Sequence, residues 1–147
     1  MTDRERTPTS LGQALVRFAL YFGSTGSGAL RGNFSLVADS IGMSIDQDPR
    51  TTGGGLNLLI RYTWAAGRWR PMFFAGAGVL YTDEQVPPGA TKRNFTPQGG
   101  IGLQYLITNQ VALGGEYRFH HLSNKGKTET NPGVNTHLIS FGVTWFH

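Results

Sequence analysis

At 147 residues the chain has the length of one domain, and an apolar share of 39% with 12% aromatics is ample for a packed or membrane-embedded fold, which argues against disorder. Charged residues make up only 15%, against roughly 25% in soluble domains, while 21 glycines are about twice the usual share. The net charge of +4 comes from scattered basic residues with no stripe to carry them, which excludes nucleic acid as a partner; the lack of cysteine excludes a disulfide framework, a thiolate metal site and a cysteine nucleophile.

Taken in chain order, Met1 to Ser10 is polar, carries Pro8 and does not alternate, so residues 1–12 are expected to form a disordered or non-native N-terminal segment. Leu11 to Phe22 is apolar but interrupted by Gln13 and Arg17, with no small-residue cleavage pattern behind it, and does not read as a signal peptide. No window approaches the roughly 18 uninterrupted apolar residues of a membrane-spanning helix. A membrane reading must therefore rest on strands, and strands are what the periodicity shows. Val16, Phe18 and Leu20 alternate with Arg17. Asn33 to Met43 alternates least clearly. Leu56, Leu58, Ile60, Tyr62 and Trp64 stand against Asn57, Arg61 and Thr63, and Phe73, Ala75, Ala77, Val79 and Tyr81 form the next apolar parity. From Asn94 to Ile107 the split is unbroken, and it recurs with Val111, Leu113, Tyr117 and Phe119 against Gly114, Glu116 and Arg118, and with Ile139, Phe141, Val143 and Trp145. Seven strands are expected.

The strand charges are Arg17, Asp39, Arg61, Glu116 and Arg118, and they fall mainly on the small, glycine-rich parity. A water-facing side would be studded with lysine and glutamate. This one suits the packed polar interior of a narrow antiparallel up-and-down outer-membrane β-barrel whose apolar parity meets lipid. The alternative is a soluble sandwich or lipocalin-like barrel that buries the apolar parity. Long gaps at Ser44 to Thr52, Asp83 to Arg93 and Asn124 to Val134 alternate with short ones at Ala65 to Trp69 and Thr108 to Gln110, as outer loops alternate with periplasmic turns. Bacterial single-chain barrels have even strand counts, so seven implies an eight-stranded type whose first strand is lacking here.

Chemistry concentrates in Tyr117-Arg118-Phe119-His120-His121-Leu122-Ser123-Asn124 and the following Asn131-Pro132-Gly133-Val134-Asn135. Tyr117, Phe119, His121 and Ser123 share the outward parity, and counting back from Trp145 puts His137 and Asn135 outward on the next strand. A base, His121, a nucleophile, Ser123, and an orienting group, Asn135, thus meet on a lipid-facing patch. His120, of opposite parity, is expected in the interior network. Ser-Asn before Lys125-Gly126-Lys127 also reads simply as a strand end entering a turn.

Together with Arg70-Pro71-Met72-Phe73-Phe74-Ala75-Gly76-Ala77-Gly78 and Asn94-Phe95-Thr96-Pro97-Gln98, this run resembles the lipid A 3-O-deacylase (PagL-type, acyloxyacyl hydrolase) family of outer-membrane barrels, from about residue 30 to the C-terminus. The resemblance implies an eight-stranded barrel in the outer membrane of a Gram-negative cell. It implies ester hydrolysis at the 3-position acyl chain of lipid A by a serine, a histidine and an acidic residue, with no metal or cofactor. The oxyanion would be held by Asn124 and a backbone amide around Gly126, with Phe95 and Asn131 shaping the substrate site. The departure is Asn135, which stands where the family has an acid; Glu129 is the alternative orienter. Expected partners are lipid A or lipopolysaccharide, whose phosphates Lys125 and Lys127 would meet, and outer-membrane lipids; a homodimer stays open. The second reading is a non-catalytic outer-membrane barrel, structural or lipid-binding.

Overall fold

The computed structural model describes residues 10–23, 25–86, 91–123 and 133–147. Seven strands, β1 (Leu11–Phe22), β2 (Gly32–Ile45), β3 (Thr51–Trp64), β4 (Trp69–Thr82), β5 (Arg93–Leu106), β6 (Val111–Leu122) and β7 (Val134–Trp145), follow one another in a single antiparallel sheet in chain order. Each is 12 or 14 residues long, enough for the roughly 9–11 a tilted strand needs to cross a bilayer. Leu11 and Gly12, expected to lie outside the barrel, pair with Ile45 and Ser44. The connection between β2 and β3 shrinks to residues 46–50, because both strands run on past the point where apolar alternation fades.

The sheet curls so that the apolar parity faces out. Phe141 is 85% exposed, Ile139 and Leu20 73%, whereas Asp39 is fully buried and Arg61 and Arg118 are 2% exposed. A soluble barrel would show the reverse. At the end carrying the short connections, aromatic side chains gather in two groups: Phe34 meets Tyr62 at 4.9 Å between ring centroids and Tyr62 meets Trp64 at 5.0 Å, while Trp69 meets Tyr105 at 4.7 Å. Such rings, apolar in body and polar at the tip, settle at a membrane–water boundary.

The lumen is filled in layers. Its middle is a charged belt. Arg17 on β1 donates to Asp39 on β2 through Nε and Nη2 (2.6 and 2.9 Å) and also pairs with Glu116 on β6; Arg118 reaches Asp39 at 3.1 Å, Glu116 at 3.2 Å and Gln98 at 2.7 Å. Arg61 is held separately by Ser35 and Tyr21. Above the belt Ile41, Met43, Ile45, Leu80, Val86 and Leu122 form an apolar plug, and Val37, Leu59 and Phe74 form a smaller one. The interior is thus less uniformly polar than the glycine-rich parity suggests. Glycines make room for this filling: a Cβ on Gly78 would stand 2.0 Å from Oδ1 of Asn57, and one on Gly102 would meet Met72 at 2.7 Å.

β1 and β7 bound a cleft of about 1170 Å³ lined along both strands, and no ladder joins them among the described residues. Six antiparallel steps separate them, so they run in the same direction. Arg17 nevertheless spans the lumen and ties β1 to β6.

Removing the Asp39 carboxylate would leave two guanidinium groups with Glu116 as their one shared carboxylate in a buried site, and breaking a buried ion pair typically costs about 3–5 kcal/mol. Asp39→Ala is therefore expected to lower the urea midpoint of the detergent-refolded barrel substantially. A midpoint equal to wild type would show that the belt contributes nothing to stability.

Candidate active site

The site residues come together at the end of the barrel that carries the long connections, residues 83–92 and 123–133. Alternation places them: Tyr117, Phe119 and His121 on β6 and Asn135, His137 and Ile139 on β7 all project outward, each opposite its partner in the register His121↔Asn135, Phe119↔His137, Tyr117↔Ile139. Across His121 and Asn135 the side chains meet. Nδ1–H of His121 donates to Oδ1 of Asn135 at 2.6 Å. Since Oδ1 only accepts, the proton sits on Nδ1 and leaves Nε2 with a free lone pair.

Ser123 lies two residues beyond His121 in a bridge with Phe95, which exchanges two backbone hydrogen bonds with it, at 2.7 and 2.9 Å. Between that bridge and the Gln98↔His120 pair, the register sets Pro97 opposite His121. Proline has no N–H to give, so the β5–β6 ladder is interrupted directly beside the imidazole and resumes at Phe95 and Ser123.

Gly133 closes the other side. Its φ is +71°, and a Cβ there would fall 2.5 Å from Cε1 and 2.9 Å from Nε2 of His121. Val134 pairs with Leu122, so Gly133 stands at the level of Ser123. The imidazole is therefore fixed at Nδ1 by Asn135 and turns its Nε2 edge toward the end of the strand where Ser123 stands. Only glycine leaves room for that orientation.

One row deeper in the apolar band, the Tyr117 hydroxyl and Nδ1 of His137 share a hydrogen bond, and Phe119 packs edge-on against the His137 ring at 5.5 Å. Sequence reasoning set His137 on this face but missed its pairing with Tyr117, along with the roles of Gly133 and Pro97. The Asn-Pro-Gly run was legible as turn chemistry, and nothing in it spoke of the histidine. His120 projects into the lumen at 1% exposure as expected, but neither ring nitrogen finds a hydrogen-bond partner among the described residues. Asn124, Gly126 and Asn131, along with Lys125, Lys127 and Glu129, lie outside the described residues.

Comparison with known proteins bears directly on this arrangement. Residues 13–144 match the family model of the lipid A 3-O-deacylase, PagL. The chain belongs to that family. A solved structure described as the crystal structure of the outer membrane enzyme PagL shares the fold with a TM-score of 0.70 at 18% identity, over 94% of this chain and 95% of that one. No curated protein matches. As a member of the PagL family with an apolar outer face, this chain is an outer-membrane barrel of the lipid A deacylase type.

Gly133→Ala tests how the histidine is held. The added methyl group and the left-handed backbone both oppose the native ring position, so the imidazole is expected to leave Asn135, visible as a shift of the His121 ring resonances in the folded barrel. Unchanged resonances would show that Gly133 does not hold the ring.

Proposed function

We propose that this chain hydrolyses the 3-position acyl ester of lipid A, with Ser123 as nucleophile, His121 as general base and acid, and Asn135 as orienter. The observation that supports this most directly is the imidazole fixed at Nδ1 with Nε2 turned toward the serine's end of the strand. In this reading Nε2 takes the proton of the Ser123 hydroxyl as its oxygen attacks the ester carbonyl. The imidazolium then returns that proton to the departing sugar oxygen, leaving an acyl-enzyme. Water, deprotonated by the same histidine, releases the fatty acid and restores the serine. Asn124 and the amide of Gly126 are proposed to hold the oxyanion, Asn131 to shape the site, and Phe95 beside Ser123 to line the acyl chain.

The lipid-facing position suits an ester that never leaves the bilayer. Asn135 holds the histidine but offers no charge to the imidazolium. In serine hydrolases, replacing the acid by its amide lowers turnover by on the order of 10⁴. A slow enzyme is the consequence, and a non-catalytic lipid-binding barrel is the second reading that Asn135 favours.

Mass spectrometry of lipid A from cells producing the chain should show loss of one ester-linked acyl chain, which disappears with Ser123→Ala. Identical fully acylated lipid A in both samples would sink the esterase reading. In the purified barrel, Asn135→Glu should raise turnover about tenfold or more, bounded by the same factor. A fall instead would mean that the amide, not a charge, is what this site requires.

A further inference from the structure

Two rows of outward side chains lie beside the proposed catalytic residues, one at the level of Ser123 and one beyond it toward the membrane surface. At the serine's level Phe95 bridges Ser123 and pairs on its other side with Val79. Beyond it, Arg93 pairs with Tyr81, and both are exposed. Arg93 has the same parity as Phe95, so its side chain leaves the barrel on the same face, about 6.6 Å farther out by strand rise. Below the serine's level the outward residues of β4 and β5 are small: Ala77 pairs with Pro97 and Ala75 with Gly99.

Read from the surface inward, this strip of the barrel is cationic, then holds the nucleophile, then is shallow and apolar. That order matches an amphiphile whose anionic sugar lies at the water boundary, whose ester lies just beneath and whose acyl chain runs into the bilayer.

Arg93 is also uncommitted. Arg17 and Arg118 are neutralised by Asp39 and Glu116, Arg61 is held by Ser35 and Tyr21, and Arg50, Arg68 and Arg70 donate to Ser44, Ile107 and Gly67. No hydrogen bond or ion pair engages the Arg93 guanidinium among the described residues, and Lys92 adds a second exposed cation beside it. A planar fork of N–H donors on a side chain long enough to span one row is suited to a phosphate, which it can grip with two parallel hydrogen bonds.

We propose that Arg93 recognises a phosphate carried by the same sugar as the ester to be cleaved, and so sets that ester over Ser123. The ligand class is an anionic glycosyl phosphate lipid. Arg93 acts on selection and positioning and takes no part in the chemistry. Ester and anomeric phosphate on one glucosamine ring are separated by about the one-row spacing between Ser123 and Arg93, roughly 5–7 Å. The inference rests on the esterase reading, which fixes Ser123 as the point of attack.

The test is a substrate-by-residue cycle with the full chain in detergent micelles. A synthetic 3-O-acyl glucosamine lipid is offered with and without a phosphate on its anomeric oxygen, to wild type, Arg93→Gln and Arg93→Lys. Wild type should favour the phosphorylated lipid by about tenfold in kcat/KM, as expected for a charge-assisted hydrogen bond at a partly hydrated site. Arg93→Gln should bring that ratio near one, chiefly through KM, and Arg93→Lys should recover part of it. The preference should shrink at high salt, because an exposed charge contact is screened.

Equal hydrolysis of both lipids by wild type, or a loss in Arg93→Gln that is the same for both, would overturn the proposal. Retention of each lipid by the Ser123→Ala barrel, read by native mass spectrometry with and without Arg93→Gln, gives the same ratio without turnover. Hydrolysis of neither lipid by wild type would defeat the esterase reading alone. A retention ratio near one that is indifferent to Arg93 would defeat this proposal alone.

Discussion

Hydrocarbon offers no hydrogen bonds, and that single constraint arranges almost every polar group in this barrel. Between the outer edges of β1 and β7, backbone groups are consumed by ladders, and most strand charges are turned into the lumen where they find one another. Two pairs of polar side chains that face outward in the apolar band are hydrogen-bonded couples, His121 with Asn135 and Tyr117 with His137. A lone imidazole there would leave an unpaired donor or acceptor against lipid, at a penalty of several kcal/mol. Pairing thus lets an imidazole sit on the lipid-facing side, as the proposed ester hydrolysis requires.

The lumen supports the outer face on which the proposed chemistry lies. Apolar clusters at Ile41, Met43, Leu80 and Leu122 and at Val37, Leu59 and Phe74 flank the charged belt, so away from the β1–β7 cleft the inner face is a packed support. Consecutive residues on β6 divide the work. Arg118, His120 and Leu122 point into that support, while Tyr117, Phe119 and His121 face lipid. Packing on the inner face fixes the strand, and the fixed strand sets the register that brings His121 opposite Asn135.

Most of this was legible because period-two patterning is strong wherever the two faces meet very different surroundings. The stretch over β2 was hard to read for a physical reason: it carries Phe34 and Leu36 outward and Val37, Ile41 and Met43 into the apolar plugs, so both parities are greasy. The strand extensions past Leu56 and Met43 were missed because Gly53, Gly54 and Gly55 carry no pattern at all. At the site, parity alone put His121, Asn135 and His137 on one face. What it could not supply was distance. The 2.6 Å contact to Asn135 depends on register, and the placing of the Nε2 edge beside Gly133 depends on a missing Cβ there. The interruption at Pro97 follows from pairing across strands that a linear sequence does not display.

An amide at Asn135, where a carboxylate would carry charge, fits the same dielectric argument. A carboxylate on the lipid face would carry a full charge in a medium that solvates it poorly. An amide gives up that burden and still fixes the imidazole's tautomer and direction. What it gives up in turn is the charge that would stabilise imidazolium in the transition state, where electrostatic terms are largest because water is excluded. Asn135 therefore leaves the His121 pair without a formal carboxylate in the apolar band, and the histidine's geometry is set by hydrogen-bond direction, not by charge.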